Sequence, residues 1–281
     1  MSRFILTGFS DEIDEKVEVQ FQTMKELGIP YFEARGIDGK NVADLTDEDV
    51  EMLCKKMKDY GITASSIGSP IGKILITEEF ESHFQRFKKV VDSAKKLHTK
   101  YIRIFSFYIP NGEQPEAYRD EVFARLRRMC EYARSQDIIL LHENEKDIYG
   151  DTVERCIDLM REFYSENFKA VFDPANFVQC GENAKEAFLK LKPYIAYMHI
   201  KDATEDGEVV PAGAGQGEIP FILRELKRDG YDGFLSLEPH LGSFSGLENL
   251  ENDDKMMKLE KSSAKTFMHA YNALKEIIER I

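Results

Sequence analysis

Hydrophobic and polar positions divide the chain into two alternating kinds of segment. Short runs of four to six β-prone residues, several with a polar residue at or near the end, are each followed by a longer stretch with the spacing of an amphipathic helix. The predicted strands are 4–8, 31–34, 64–67, 101–105, 138–143, 170–173, 195–200 and 234–238. The predicted helices are 14–27, 46–59, 78–97, 115–135, 151–165, 183–192, 219–229 and 256–279.

The predicted helix at 78–97 illustrates the helical pattern. Its apolar residues recur every three or four positions, as on a helix that lies on a core: Phe80, Phe84, Phe87, Val91 and Ala94. Three predicted helices end close to a glycine that can adopt the left-handed conformation of a helix C-terminus: Gly28, Gly61 and Gly230. The pattern and the end signals therefore agree on where these helices lie.

Strict alternation of strand and helix predicts an α/β protein, a single (β/α)8 TIM barrel in which residues 1–281 form one domain. The alternative is an open doubly wound sheet. That fold usually carries a glycine fingerprint after its first strand, whereas GFSDEID follows here. No Pro- or Ser-rich seam divides the chain, and we expect the most mobile loop at 242–254.

Composition and charge limit the classes of function. The chain has 51 acidic and 38 basic residues, a formal net charge of −13, and no basic stretch, which argues against a nucleic-acid partner. No apolar run approaches the ~20 residues that cross a bilayer, and the first residues lack the long apolar region of a secretory signal. We therefore expect a cytoplasmic protein with no membrane partner. Four cysteines without a CxxC pair argue against disulfides and a Cys-rich zinc site.

Polar residues with metal-ligand chemistry stand at the ends of four consecutive predicted strands: Glu143, Asp173, His199 and Glu238. In a barrel of this type the carboxyl ends of the strands form the reactive face. Three buried carboxylates in one place would repel each other and take up protons unless a cation held them. Three oxygen ligands and one imidazole suit one divalent ion of Mn, Mg, Co or Zn. The same register on each strand is not expected of unrelated salt bridges.

The stretches LLHEN, FDPANF, HIKDA and GYDGFLSLEPH, in this order and spacing, resemble the sugar phosphate isomerase/epimerase family of xylose isomerase-like TIM barrels. The resemblance covers most of the chain. It implies that Glu143, Asp173, His199 and Glu238 hold one divalent metal ion, and that Glu143 and Glu238 form an acid/base pair. The implied activity is isomerisation or epimerisation of a sugar, a sugar phosphate or a related polyol ketone through an enediolate.

Two positions depart from the family pattern and bear on the substrate. Asn176 stands where many epimerases have a histidine, and Lys201 and Asp202 follow His199 where an arginine is common. Lys201 shares the strand face of His199, so it either reaches a substrate hydroxyl or phosphate or pairs with Asp202.

Weaker candidates lie around the same mouth. Glu33 and Arg35 end the second predicted strand, and Arg103 lies within the fourth. We expect Arg103 to pair with Glu33, and the alternative is a contact with substrate. His240 is a candidate substrate contact, and His142 is expected to point to the opposite side of its strand and to support the ligands from behind.

Two loops are candidates for anion binding. Lys73, in SPIGK, either meets an anionic group of the substrate or is a solvated loop lysine. The glycine-rich AGAGQGEIP either binds phosphate, as loops in this place often do, or only leads into the next helix.

Three other functions compete with the isomerase reading. A lyase that dehydrates a ketone-bearing cyclic polyol needs the same enediolate and differs in its leaving group. An abasic-site endonuclease shares the fold but needs a His-rich metal cluster, and this chain has 6 histidines. A non-catalytic binding barrel is the third. The expected partner is a small sugar or polyol substrate, and the family resemblance also allows a homo-oligomer.

Overall fold

The computed structural model describes residues 3–244 and 261–281. Eight parallel strands form one sheet in the described ranges: β1 Arg3–Gly8, β2 Tyr31–Ala34, β3 Thr63–Gly68, β4 Tyr101–Ile104, β5 Ile139–Glu143, β6 Phe168–Phe172, β7 Ile195–Ile200 and β8 Asp232–Leu237. The helices described are α1 Val17–Glu26, α2 Asp47–Tyr60, α3 Phe80–Lys96, α4 Arg119–Ser135, α5 Val153–Phe163, α6 Pro174–Gln179, α7 Ala184–Leu191, α8 Ile219–Arg228 and α9 Ala264–Arg280.

The sheet curls into a nearly closed barrel. Each strand from β2 to β7 pairs in parallel with the next strand along the chain, and β8 pairs with β1. The two remaining edges, β1 and β2, meet in a parallel bridge between Phe9 and Glu33. The predicted single (β/α)8 barrel is therefore confirmed.

The main core lies between the strands and the surrounding helices. All five residues of the apolar stripe on α3 are buried, with exposed fractions of 0 to 7%. Gly28, Gly61 and Gly230 have φ of 72°, 69° and 79°, the left-handed conformation expected after a helix. Leu141, Val171 and Tyr197 form a smaller, separate hydrophobic cluster.

Several local features differ from the predicted pattern. The helix predicted at 115–135 begins with a 3₁₀ turn, Pro115–Tyr118, before α4. The short helix α6 was not predicted, nor were two ribbons of two-residue strands, one pairing Gly36–Ile37 with Lys40–Asn41 and the other pairing Asp202–Ala203 with Val209–Val210.

Part of the predicted loop at 242–254 and the start of the helix predicted at 256–279 lie outside the described residues. That residues 1–281 form one domain stays a prediction. None of the helices in the described ranges is long and apolar enough to cross a membrane.

Candidate metal centre

Four side chains converge at the carboxyl end of the barrel. Glu143 is the last residue of β5 and His199 lies near the end of β7, while Asp173 and Glu238 come directly after β6 and β8. All four are buried, and one ligand atom from each lies within 4.8 Å of the others. Parallel strands bring their carboxyl ends to the same face, which explains the convergence.

The donor atoms of this cluster fit a divalent cation. Glu143 Oε2, Asp173 Oδ2 and Glu238 Oε2 are buried atoms without a hydrogen-bond partner among the described residues. His199 Nδ1 faces the same point, 2.8 Å from Glu143 Oε1 and 3.3 Å from Glu238 Oε2. Three carboxylates and an imidazole are a donor set that Mn²⁺, Zn²⁺ and similar ions accept, and buried carboxylate oxygens normally accept hydrogen bonds.

The protonation of the cluster reflects its buried charges. Burial opposes ionisation of Glu238, but the ammonium of Lys201 and the nearby ring of His199 hold its pKa well below the usual value. Burial disfavours a charged His199, yet Glu143 and Glu33 raise its pKa well above the usual value. The metal-free cluster therefore neutralises its carboxylates with an imidazolium.

The pKa of Asp173 is shifted upward, whereas that of Glu238 is shifted downward. Burial raises its pKa to about 7, because the attraction of Lys201 is opposed by the charges of Glu238 and Glu143. Its other oxygen, Oδ1, accepts from the N–H of Asn176 at 3.0 Å and so caps α6. Near neutral pH, metal-free Asp173 is thus poised between its acid and its ionised form.

Arg103 and Lys201 lie beside the cluster, and both pair with its carboxylates. Arg103 Nη1 is 3.2 Å from Glu143 Oε2, and Lys201 Nζ is 3.2 Å from Asp173 Oδ2. The predicted Arg103–Glu33 pair is therefore wrong. Glu33 instead accepts hydrogen bonds from Tyr197 and Ser236, which precede His199 and Glu238 by two residues and lie one layer nearer the amino ends of the strands.

Glu238 is also held by a network of hydrogen bonds around Arg35, which was not predicted from the sequence. Arg35 donates to both oxygens of Asp11, from Nε at 2.8 Å and from Nη2 at 3.0 Å. Its Nη2 also donates to Glu12 at 3.0 Å, and its Nη1 donates to Glu238 Oε1 at 3.0 Å. All four side chains are buried. Asp11 and Glu12 lie in the 3₁₀ turn Ser10–Glu12, shortly after β1 ends at Gly8, so a search of the residues that follow each strand could also have found them.

His240 lies on the same side of the site. Its ring Nε2 is 3.3 Å from Glu238 Oε1, and its backbone N–H donates to Glu12 Oε2 at 2.7 Å. Burial alone would lower the pKa of His240, but Glu12 and Glu238 outweigh burial and the charge of Lys201 and raise it to about 9. Its backbone φ of 45° is unusual for a non-glycine residue.

Asn176 and His142 end up in different surroundings. Asn176 Nδ2 donates to the backbone oxygen of Asn144 at 2.9 Å and lies 3.4 Å from Glu143 Oε1, so it borders the cluster. His142 points away, as expected, with Nε2 at 3.0 Å from Ser106 Oγ, and burial lowers its pKa to about 4. Among the described residues no hydrogen bond joins the His142 ring to a candidate ligand, so support of the ligands by His142 stays a prediction.

Lys73 is neither solvated nor open to an anion. Its side chain is 4% exposed, its Nζ lies 3.0 Å from Glu145 Oε2, and it stacks over the ring of Phe105. Glu145, two residues after Glu143, was not singled out in the sequence. The solvated-lysine alternative is therefore wrong.

The glycine-rich loop 212–220 already holds an anion from the protein itself. The N–H groups of Gly213, Gly215 and Gly217 donate to the carboxylate of Asp202 at 2.8, 3.1 and 2.7 Å. Asp202 therefore does not pair with Lys201. Asp202 occupies the position in which a phosphate would meet these donors.

Comparison with known proteins agrees with this architecture. The family model for the xylose isomerase-like TIM barrel matches residues 21–259. A 3-dehydroshikimate dehydratase of Bacillus anthracis is 23% identical over 231 residues, which cover 76% of this chain and 81% of the relative. Among solved structures, an IOLI protein with a zinc atom has a TM-score of 0.77 at 16% identity, with 99% of both chains covered. A D-allulose 3-epimerase from Methylomonas sp. in complex with D-allulose has a TM-score of 0.75 at 15% identity, with 100% of this chain and 98% of that chain covered.

Proposed function

Because the chain belongs to the xylose isomerase-like TIM barrel family, we propose that it is a divalent-metal-dependent isomerase or epimerase of a sugar or related polyol ketone. The observation that carries the proposal is the buried cluster of Glu143, Asp173, His199 and Glu238, in which three carboxylate oxygens accept no hydrogen bond from the described residues. These four residues would hold the ion.

Glu143 and Glu238 are the proposed acid/base pair. They come from β5 and from the end of β8, strands that are not neighbours, so their carboxylates reach the centre from different sides of the barrel. In such a site a divalent ion supplies polarisation of a carbonyl, which acidifies the neighbouring C–H bond. One glutamate would take that proton to give an enediolate, and the other, once it has taken a proton from solvent, would deliver it to the opposite face of the same carbon.

The surroundings keep both glutamates ready to accept a proton. Burial opposes ionisation of Glu143, but the charges of His199 and Arg103 hold its pKa below the usual value. Glu238 is held ionised by Lys201 and His199, and Arg35 and His240 fix its Oε1. Arg103, Arg35 and His240 are therefore proposed to orient the bases, and Asn176 and Lys201 to border the substrate.

We infer further that the substrate is a free ketone rather than a phosphate ester. The three N–H donors of the glycine loop are used by Asp202. The buried cations at the mouth already face carboxylates, as Arg35 does Asp11 and Lys73 does Glu145. A phosphate dianion would have to displace one of these carboxylates, whereas neutral hydroxyl groups would not.

A dehydratase is the second candidate function, favoured by the similarity to 3-dehydroshikimate dehydratase. Loss of water from a ketone-bearing ring requires the same abstraction of a proton beside the carbonyl. The two candidates differ in the fate of the enediolate, which is reprotonated in one case and expels hydroxide in the other.

Turnover of a panel of free and phosphorylated ketoses and of 3-dehydroshikimate in heavy water tests the proposal. Epimerisation predicts deuterium at the inverted carbon of a free ketose, and dehydration predicts loss of water with a new double bond. Glu143→Gln and Glu238→Gln should each abolish turnover, while Glu205→Gln, at an exposed position, should not. Full activity in either active-site variant would exclude that glutamate as a base, and turnover of phosphorylated ketoses alone would exclude the free substrate.

A further inference from the structure

The side of His199 that faces away from the candidate metal centre is occupied by a second carboxylate. His199 Nδ1 points toward Glu143 and Glu238, and Nε2 lies 3.4 Å from Glu33 Oε2. Glu33 and His199 are 1% and 0% exposed. Neither Nε2 nor Glu33 Oε1 has a hydrogen-bond partner among the described residues.

Glu33 is held rigidly in this place. Ser236 Oγ donates to Glu33 Oε2 at 2.6 Å, and Tyr197 OH donates to the same oxygen at 3.0 Å. The imidazole is confined as well, since the rings of Phe9 and Tyr197 meet it edge-on at centroid distances of 5.1 and 5.9 Å. Both the carboxylate and the ring are thus fixed by packing.

This arrangement selects one form of the imidazole. A neutral histidine carries its proton on one ring nitrogen and offers a lone pair on the other. A proton on Nε2 would point at Glu33, a buried acceptor, and would leave the Nδ1 lone pair facing the cluster. The opposite tautomer would bring a lone pair against a carboxylate and a proton against the metal site, which is unfavourable on both sides.

We propose that Glu33 is a positioning residue that fixes His199 as an Nδ1 ligand by accepting a hydrogen bond from its Nε2–H. The proposal rests on the metal centre of the proposed function. It gives Glu33 a role behind His199 rather than against substrate, because Glu33 lies deeper in the barrel with Tyr197 and Ser236. Carboxylates that orient a ligating histidine in this way typically contribute 10- to 100-fold to metal affinity.

Calorimetric titration with zinc tests the role of Glu33 without reference to turnover. Glu33→Met, which keeps the length of the side chain and removes the acceptor, should weaken zinc binding about 10- to 100-fold. Glu33→Gln keeps an acceptor oxygen and should restore most of the affinity. Thr7→Val is the matched control, because Thr7 is equally buried and hydrogen-bonds Ser65 rather than His199; its zinc affinity should stay close to that of wild type.

The histidine tautomer in the zinc-loaded wild-type protein provides a second readout that needs no variant. Long-range ¹H–¹⁵N spectra should show His199 with a proton on Nε2 and zinc on Nδ1, and ligation through Nε2 would overturn the proposal. Equal zinc affinity in Glu33→Met and wild type would also overturn it while leaving the metal centre intact. A wild-type protein that binds no zinc would overturn both.

Discussion

Replacing Asp173 by asparagine should stabilise the metal-free protein and at the same time weaken its binding of metal. Asparagine has the shape of the neutral acid and keeps an oxygen that can accept from the N–H of Asn176 at the start of α6. It removes the negative charge that burial and the neighbouring glutamates make unfavourable. A polar substitution in a buried site normally destabilises a protein, so the expected direction is distinctive.

The magnitude follows from the pKa of Asp173. Folding raises it from 3.8 to about 7, so the unfolded chain ionises this group first. The folded state therefore loses stability as pH rises above 3.8, and the loss is complete above pH 7. A rise of about three pKa units corresponds to about 4 kcal/mol. At pH 5 the same relation gives a loss of folded-state stability of only about 1.7 kcal/mol.

Urea unfolding of chelator-treated wild type and Asp173→Asn at pH 5 and pH 8 measures this difference. The variant should be more stable by up to about 4 kcal/mol at pH 8, and its advantage should shrink at pH 5. Added manganese should raise the stability of wild type, by about 2.7 kcal/mol at a hundredfold excess over Kd, and should have far less effect on the variant. A metal-free variant that is less stable than wild type at pH 8 would refute the reasoning.

Three further predictions concern the surroundings of the site. Arg35→Met should lower the free energy of unfolding by about 3–5 kcal/mol, because it leaves buried carboxylates unpaired. Arg86→Met breaks a more exposed ion pair and should lower it by at most about 1 kcal/mol. Equal losses of stability in the two variants would contradict this account. Gly72→Ala should destabilise the protein far more than Gly181→Ala. Both glycines have a positive φ, but only the Cβ added at Gly72 would lie 2.1 Å from a backbone oxygen. Matching melting temperatures of the two variants would exclude the clash. Manganese affinity should fall below about pH 7, where Asp173 must lose a proton to bind; calorimetry that finds equal affinity at pH 6 and pH 8 would exclude this linkage.

The barrel could be predicted because its strands are buried on both faces. Such strands are continuous apolar runs, and a polar residue at the end of a run marks the edge of the barrel. The six-residue helix α6 is too short to show a helical period, and the ribbons of two-residue strands show no alternation. These elements depend on contacts made only after the barrel has formed.

The four candidate ligands could be found from the sequence because each ends a strand, but the ion pairs around them could not. Which carboxylate Arg103 meets depends on the stagger between strands, which sets the layer in which each side chain lies. Arg103 lies opposite Leu141 in the sheet, and its guanidinium reaches Glu143 two residues further along β5 at 3.2 Å, while Glu33 is held by Ser236 and Tyr197. Likewise, nothing in the spacing of the glycine loop indicated that Asp202 would occupy it.

An anomalous difference map from crystals soaked in manganese tests the central claim most directly. We expect one peak at the carboxyl end of the barrel, within coordination distance of Glu143, Asp173, Glu238 and the Nδ1 atom of His199, at about 2.0–2.2 Å. The same soak of Asp173→Asn crystals should give a much weaker peak. A map with no peak among these four side chains, or a peak bound elsewhere in the barrel, would contradict the proposed metal centre and the chemistry that depends on it.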